Sequence, residues 1–166
     1  MTIEELERSI GSQVPNDYRS FLETHEDSQL PCTQLFPFTE KTPFGDEGVL
    51  DELLTLEDLG SDRPVWIDAV GMLIIGDNLF GYPTYICLRE PRVGHVFYYD
   101  IQQRSHWEDE QFSRMFESLD EDIKEYLRLR SDGKLPQKEN GFESFYHVAS
   151  SFTEFQNLLR DEEIEE

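Results

Sequence analysis

The sequence predicts an α+β fold, with helices at both ends of the chain and an antiparallel sheet between them. Apolar residues recur at helical spacing near the N-terminus and again in the last third. Between these regions lie three short runs rich in β-branched and aromatic residues, joined by short connections. Sequential strands with short connections favour an antiparallel meander over a parallel βαβ sheet.

Each element has a local reason. Thr2 followed by Glu5 makes a capping-box pattern, Ile3, Leu6 and Ile10 fall on one helix face, and Gly11 suits the helix end. A second helix is expected with Pro15 in its first turn, where a missing N–H is harmless, and with Tyr18, Phe21, Leu22 and His25 as its stripe. The two together read as a helical hairpin. Residues 28–45 read as irregular because Pro31, Pro37 and Pro43 interrupt them, although Phe36, Phe38 and Phe44 should pack down. The segment 49–59 fits a short strand or a helical turn equally well. Met72–Ile75, Thr84–Leu88 and His95–Tyr99 read as strands, with 89–94 as a hairpin loop. Alternation along the third run puts Tyr98 on one face and Phe97 and Tyr99 on the other. Phe112, Phe116, Leu119, Ile123 and Tyr126 form one long helical seam. A polar linker follows, over 131–146, and Ser151 with Glu154 caps a closing helix that carries Phe152, Phe155, Leu158 and Leu159. One domain is expected over residues 1–160, with a fraying acidic tail at 161–166.

Composition narrows the function. The 166 residues are 37 % hydrophobic and include 12 Phe, enough to build a core. With 36 acidic and 14 basic side chains the formal net charge is −22, which disfavours direct binding of nucleic acid. No apolar run is long enough for a membrane helix, and the acidic opening residues lack signal-peptide features, so a cytoplasmic protein is expected. Cys32 and Cys87 are too few for a disulfide scaffold or a four-cysteine zinc site.

Four motifs occur in an order that resembles the SUKH superfamily, which includes the cell-wall-assembly regulator family and many bacterial immunity proteins. They are Val14-Pro15-Asn16-Asp17-Tyr18-Arg19-Ser20-Phe21-Leu22, Ile75-Gly76-Asp77-Asn78 with Gly81, Gly94-His95-Val96-Phe97-Tyr98-Tyr99-Asp100, and Ala149-Ser150-Ser151-Phe152-Thr153-Glu154-Phe155. His25-Glu26-Asp27 replaces the Asn-Gly-Gly common after the second helix, and the turn after Asp77 is poorer in glycine than usual. The resemblance implies an α+β domain with a mixed or mainly antiparallel sheet, against which the N-terminal helical hairpin and the C-terminal helices pack. It also implies a non-enzymatic immunity protein that binds and neutralises a cognate toxin, or alternatively a regulatory protein-binding module in signalling or cell-wall assembly.

Candidate contact residues follow from charge. Residues 42–62 contain Asp46, Glu47, Asp51, Glu52, Glu57, Asp58 and Asp62 and no Lys or Arg, and Asp68 and Asp77 extend the run. A carboxylate-rich face suits a basic nuclease- or deaminase-type toxin, and it is also the ordinary solvated face of an acidic protein. Tyr82, in the loop beside Asp77, is the expected exposed aromatic anchor. Trp66 and Trp107 read as core.

No catalytic residue, metal site or cofactor is expected. The pairs Asp51/Glu52 and Glu108/Asp109/Glu110 arise from composition rather than from an acid–base arrangement. Asp77-Asn78 opens like a calcium loop, but Leu79, Phe80 and Tyr82 supply no carboxylate. His25, His95, His106 and His147 are isolated in sequence, and no phosphate-binding glycine motif occurs. The toxin's identity and the choice between monomer and homodimer are not legible.

Overall fold

The computed structural model describes residues 1–60, 66–107 and 116–162. Helices α1 (Ile3–Ile10) and α2 (Asn16–Thr24) open the chain. Thr2 Oγ1 accepts from Glu5 N at 3.1 Å, and Gly11 ends α1 at φ +69° with its N–H on Glu7 O. Pro15 lies one position earlier than expected, as the extended residue that precedes α2. Its fixed φ and missing N–H suit either place.

The strands are β1 (Gln29–Pro37), β2 (Glu47–Leu53), β3 (Trp66–Ile67), β4 (Met72–Asp77), β5 (Thr84–Cys87), β6 (Val96–Tyr99), β7 (Phe145–Ala149) and β8 (Arg160–Asp161). They form one antiparallel sheet in the order β7-β6-β5-β4-β2-β1-β8, with β3 beside β4. The three apolar runs of the middle region are β4, β5 and β6, paired consecutively. Helices α3 (Leu56–Leu59), α4 (Glu121–Ser131) and α5 (Phe152–Leu158) complete the α+β architecture.

Several expectations are corrected. Residues 29–37 are a strand despite their prolines. The β1–β2 ladder pairs Gln29 with Glu52 and resumes only at Gln34 with Leu50, so Pro31 lies in the interruption and Pro37 ends the strand. Neither proline has to donate to a central ladder. The ambiguous stretch 49–59 is both a strand and a helical turn. Thr55 and Asp58 divide it with a reciprocal capping box. The long seam is not one helix. Asp120 is extended (φ −63°, ψ 154°), α4 begins after it, and Phe116–Ser118 is a separate 3₁₀ turn. Phe112 lies outside the described residues. The polar linker ends earlier than expected, because Phe145–Ala149 is a strand on β6. Strand β8 carries Asp161 into the sheet opposite Gln34, whose Nε2 donates to the Asp161 carboxylate at 2.7 Å. Residues 163–166 lie outside the described ones.

Alternation sorts the sheet into two faces. Leu73, Ile75, Ile86, Val96, Tyr98 and Val148 join Ile3, Leu6, Ile10, Tyr18, Leu22, Phe152 and Phe155 in the main core. Met72, Tyr85, Cys87, Phe97 and Phe145 form a second cluster on the opposite face. The sheet curls until the end of β1 meets β7, where Thr39 N donates to His147 O at 3.0 Å. Phe36, Phe38, Phe44, Tyr98 and Tyr146 fill the curl through ring contacts between 4.9 and 6.1 Å.

Two predictions follow from this packing. A Cβ at Gly76 would stand 2.5 Å from Glu52 O and 2.8 Å from Leu50 Cδ1. Gly76→Ala is expected to destabilise the fold by roughly 1–3 kcal/mol in denaturant titration, the usual range for overpacking. The second concerns pH. Burial, then His95, holds the His147 imidazole below its ordinary value, while Glu40 and Glu154 oppose this and Lys138 assists. A histidine with a lowered folded-state pKa contributes stability above the unfolded value of about 6.5 and loses it as pH falls below that. The wild type should therefore lose more thermal stability between pH 7 and pH 5 than His147→Gln, and equal losses would refute the assignment.

Candidate protein-binding surface

The acidic run is organised by β2. Gly48 and Leu50 point into the core, so Glu47, Val49 and Asp51 alternate on the outer side. The next buried residue is Leu53, three positions on, and this change of phase leaves both Asp51 and Glu52 half-buried. The β2–β4 register then sets Glu52 opposite Asp77. Asp51, Glu52 and Asp77 thus converge at one end of β2, with Glu47 further along the same strand.

The turn that follows Asp77 is built around Asn78. This residue is only 6 % exposed, and its side-chain amide is fully engaged. Nδ2 donates to Val49 O at 3.0 Å and to Tyr98 Oη at 2.7 Å, while Oδ1 accepts from Phe80 N at 2.9 Å and Tyr82 N at 3.2 Å. Gly81, at φ +84°, closes the turn with its N–H on Asn78 O. Asp51 holds the other side, accepting from Leu79 N at 2.7 Å and from the Thr33 hydroxyl. With the N–H groups of residues 79–82 all bonded, Leu79 and Phe80 project into solvent, 88 % and 75 % exposed. The same arrangement answers the calcium-loop reading, since Asn78 Oδ1 already accepts two backbone N–H groups.

Tyr82 is half-buried rather than exposed. Its ring packs 5.0 Å from Phe44 and 6.0 Å from Tyr98, and its hydroxyl accepts from Arg104 Nη2 at 3.0 Å and Gln102 Nε2 at 3.2 Å. Arg104 is fixed in turn by the buried Asp100, 3.3 Å from its Nη1, and lies over the Phe44 ring at 5.4 Å. The large apolar residues exposed in this turn are Leu79 and Phe80. Their sequence signal was available, because two apolar residues inside a turn bounded by Asn78 and Gly81 have no core to reach.

The remaining expected contact residues separate. Asp46 and Glu57 are exposed, on the loop before β2 and on α3. Asp58 serves the α3 capping box, and Glu47 is salt-bridged to Arg160 of β8. Asp62 and the Glu108/Asp109/Glu110 cluster lie outside the described residues. The histidines isolated in sequence are not all isolated in space. His95 Nδ1 and His147 Nε2 are 2.9 Å apart, and His147 Nδ1 is 2.7 Å from Thr39 Oγ1. No sequence spacing signals this pair, which the β6–β7 ladder creates. Among the described residues no group of three His, Cys, Asp or Glu is placed to hold a metal, and no helix is long and apolar enough to cross a membrane. Cys87 is buried, where burial pushes its thiol pKa up, and Cys32 is exposed.

The arrangement presents an apolar tip, held by hydrogen bonds and flanked by carboxylates. Comparison with curated proteins and with solved structures gives no significant match. Residues 2–125 match the SMI1 / KNR4 family (SUKH-1), which spans α1 through the first half of α4 and includes the whole acid-flanked turn. The chain therefore belongs to the SMI1 / KNR4 family (SUKH-1), a family that includes toxin immunity proteins.

Proposed function

We propose that this chain is a non-enzymatic immunity protein that neutralises a basic toxin domain by covering its active site. The observation that carries this reading is the Leu79–Phe80 tip, held rigid by Asn78 and Asp51 and set beside Glu52 and Asp77. Large apolar side chains this exposed, and at a fixed position, have the character of interface anchors. Their apolar area is available to a partner, and the ordered turn loses little further entropy on binding. The flanking acids and the net charge of −22 supply long-range attraction to a cationic groove and repel nucleic acid from the same surface. A nuclease- or deaminase-type domain, which holds a phosphate backbone, presents such a groove. Of the acids, Asp51, Glu52 and Asp77 are the inner contacts and Asp46, Glu47, Glu57 and Asp58 belong to the surrounding field. Tyr82 supports the turn from beneath.

The test is co-expression with each basic nuclease- or deaminase-type domain encoded in the genomic neighbourhood of this chain, scored by growth and by calorimetry of the purified pair. Protection and a one-to-one complex are expected. Leu79→Ser with Phe80→Ser should weaken the complex at least about tenfold, since anchor residues cost more than roughly 1.4 kcal/mol when removed. Asp46→Lys with Glu57→Lys should instead slow association and flatten its salt dependence. A stable complex indifferent to the tip variant sinks this surface, and absence of protection sinks the immunity reading.

A further inference from the structure

A cavity of about 480 Å³ opens between α4 and two segments that flank β7, residues 39–41 and 135–143. Its size is that of a small-molecule site. We propose that it binds a small organic monocarboxylate, held between Arg130 and Tyr126 with its apolar body against Leu135 and Pro136. The site uses none of the residues of the Leu79–Phe80 turn, so it stands or falls independently of the toxin reading.

The case rests on an inventory of donors and acceptors. Three of the chain's 14 basic residues, Lys41, Arg130 and Lys138, line this one cavity of a protein with net charge −22. Two of them have carboxylate partners: Lys41 pairs with Glu125 at 3.0 Å, and Lys138 with Glu40 at 2.7 Å. Arg130 donates only to backbone carbonyls, Arg104 O and Trp107 O, and no carboxylate among the described residues pairs with it. Those two bonds hold the guanidinium without a carboxylate partner among the described residues. Tyr126 lies four residues earlier on the same face of α4. It is 3 % exposed, and its hydroxyl oxygen accepts from Tyr146 Oη at 2.7 Å. The hydroxyl hydrogen of Tyr126 therefore has no acceptor among the described residues, and Tyr126 is one of the residues lining the cavity. A fixed cation and an unused buried donor, side by side, call for an anionic acceptor with two oxygens.

The other wall residues restrict the class. Both Glu40 oxygens are engaged, one by Lys138 Nζ and one by His147 N, and Glu143 accepts from Gly141 N. Glu40 thus already serves two donors of the fold, whereas Arg130 has no carboxylate partner among the described residues. A phosphate dianion would bring its second charge against Glu40 and Glu143 at the same site. A monocarboxylate satisfies one guanidinium and one phenol without that repulsion.

The experiment titrates the full-length chain with sodium benzoate and with hexanoate, following backbone amide chemical shifts. Benzamide and inorganic phosphate serve as controls. Saturable shifts at Ser105, Leu135 and Gln137 are expected with the carboxylates, and no saturable shift at those amides with either control. Tyr126→Phe, which keeps the ring packing, should weaken carboxylate binding about tenfold, and Arg130→Gln at least as much. Unchanged amides in the 78–81 turn confirm that each variant is folded. The proposal is overturned if neither carboxylate saturates, if benzamide or phosphate binds as tightly, or if Tyr126→Phe leaves the affinity as it was.

Discussion

The curl of the sheet is the constraint on which the other features depend. It closes where Thr39 N donates to His147 O, and rings from β1, the loop after it, β6 and β7 fill its interior. Gly48 makes the curl possible, since a Cβ there would lie 2.3 Å from the Phe36 ring that packs across β2. The closure brings Phe44 to Tyr82 and Tyr98, and so seats the platform beneath the Asn78 turn. It also covers the outer edge of β7. His147 N is taken by Glu40 and Phe145 O by Lys138, so the backbone groups there are occupied by charged side chains. An open strand edge pairs with other chains, and this one is blocked at two points.

Charge is distributed in keeping with this frame. Several of the few cations act as internal ties: Arg104 holds Tyr82, Arg130 holds two carbonyls behind α4, and Lys138 bridges Glu40 and β7. Burial pushes the Lys138 pKa down, so its position is maintained against desolvation by the Glu40 contact. Two of these cations are matched by inner carboxylates, Arg104 by Asp100 and Lys138 by Glu40. Several carboxylates likewise have inward tasks. Asp100 anchors the turn that carries Arg104, Asp58 caps α3, and Asp51 holds Leu79 N. An acidic run is therefore a mixture of field and framework, and only the hydrogen-bond partners distinguish the two.

Much of the fold was legible because its signals are local. Capping by Thr2 and Ser151, the helix end at Gly11 and the three apolar runs of the meander are set by residues within a few positions of one another. Four features were missed, three of which needed distant partners. β1 is a strand because its prolines meet a gap in the ladder to β2. β7 is a strand because β6 supplies its hydrogen bonds. Asp120 interrupts an apolar pattern that periodicity alone carries through. β8 exists because β1 has an edge to pair. The site divides in the same way. The acidic run, Asp77 and the turn were visible in the sequence, but the direction in which Tyr82 points depends on Arg104 and Phe44, 22 and 38 positions away.

The inward turn of Tyr82 changes how the surface works. A flexible exposed tyrosine would bring both side-chain and loop ordering costs to an interface. Here the polar work is done beforehand. Asn78 satisfies two N–H groups of the turn and donates to two acceptors beneath it, Asp51 holds a third N–H, and the Tyr82 hydroxyl is anchored by Arg104. What remains exposed at the tip is chiefly the apolar Leu79 and Phe80, beside Asp51, Glu52 and Asp77. Such a tip gains from burial only where the surrounding partner surface is cationic, because a neutral or acidic surface would have to desolvate Asp51, Glu52 and Asp77 without compensation. In the proposed complex, apolar area contributes affinity and the neighbouring acids select a cationic partner.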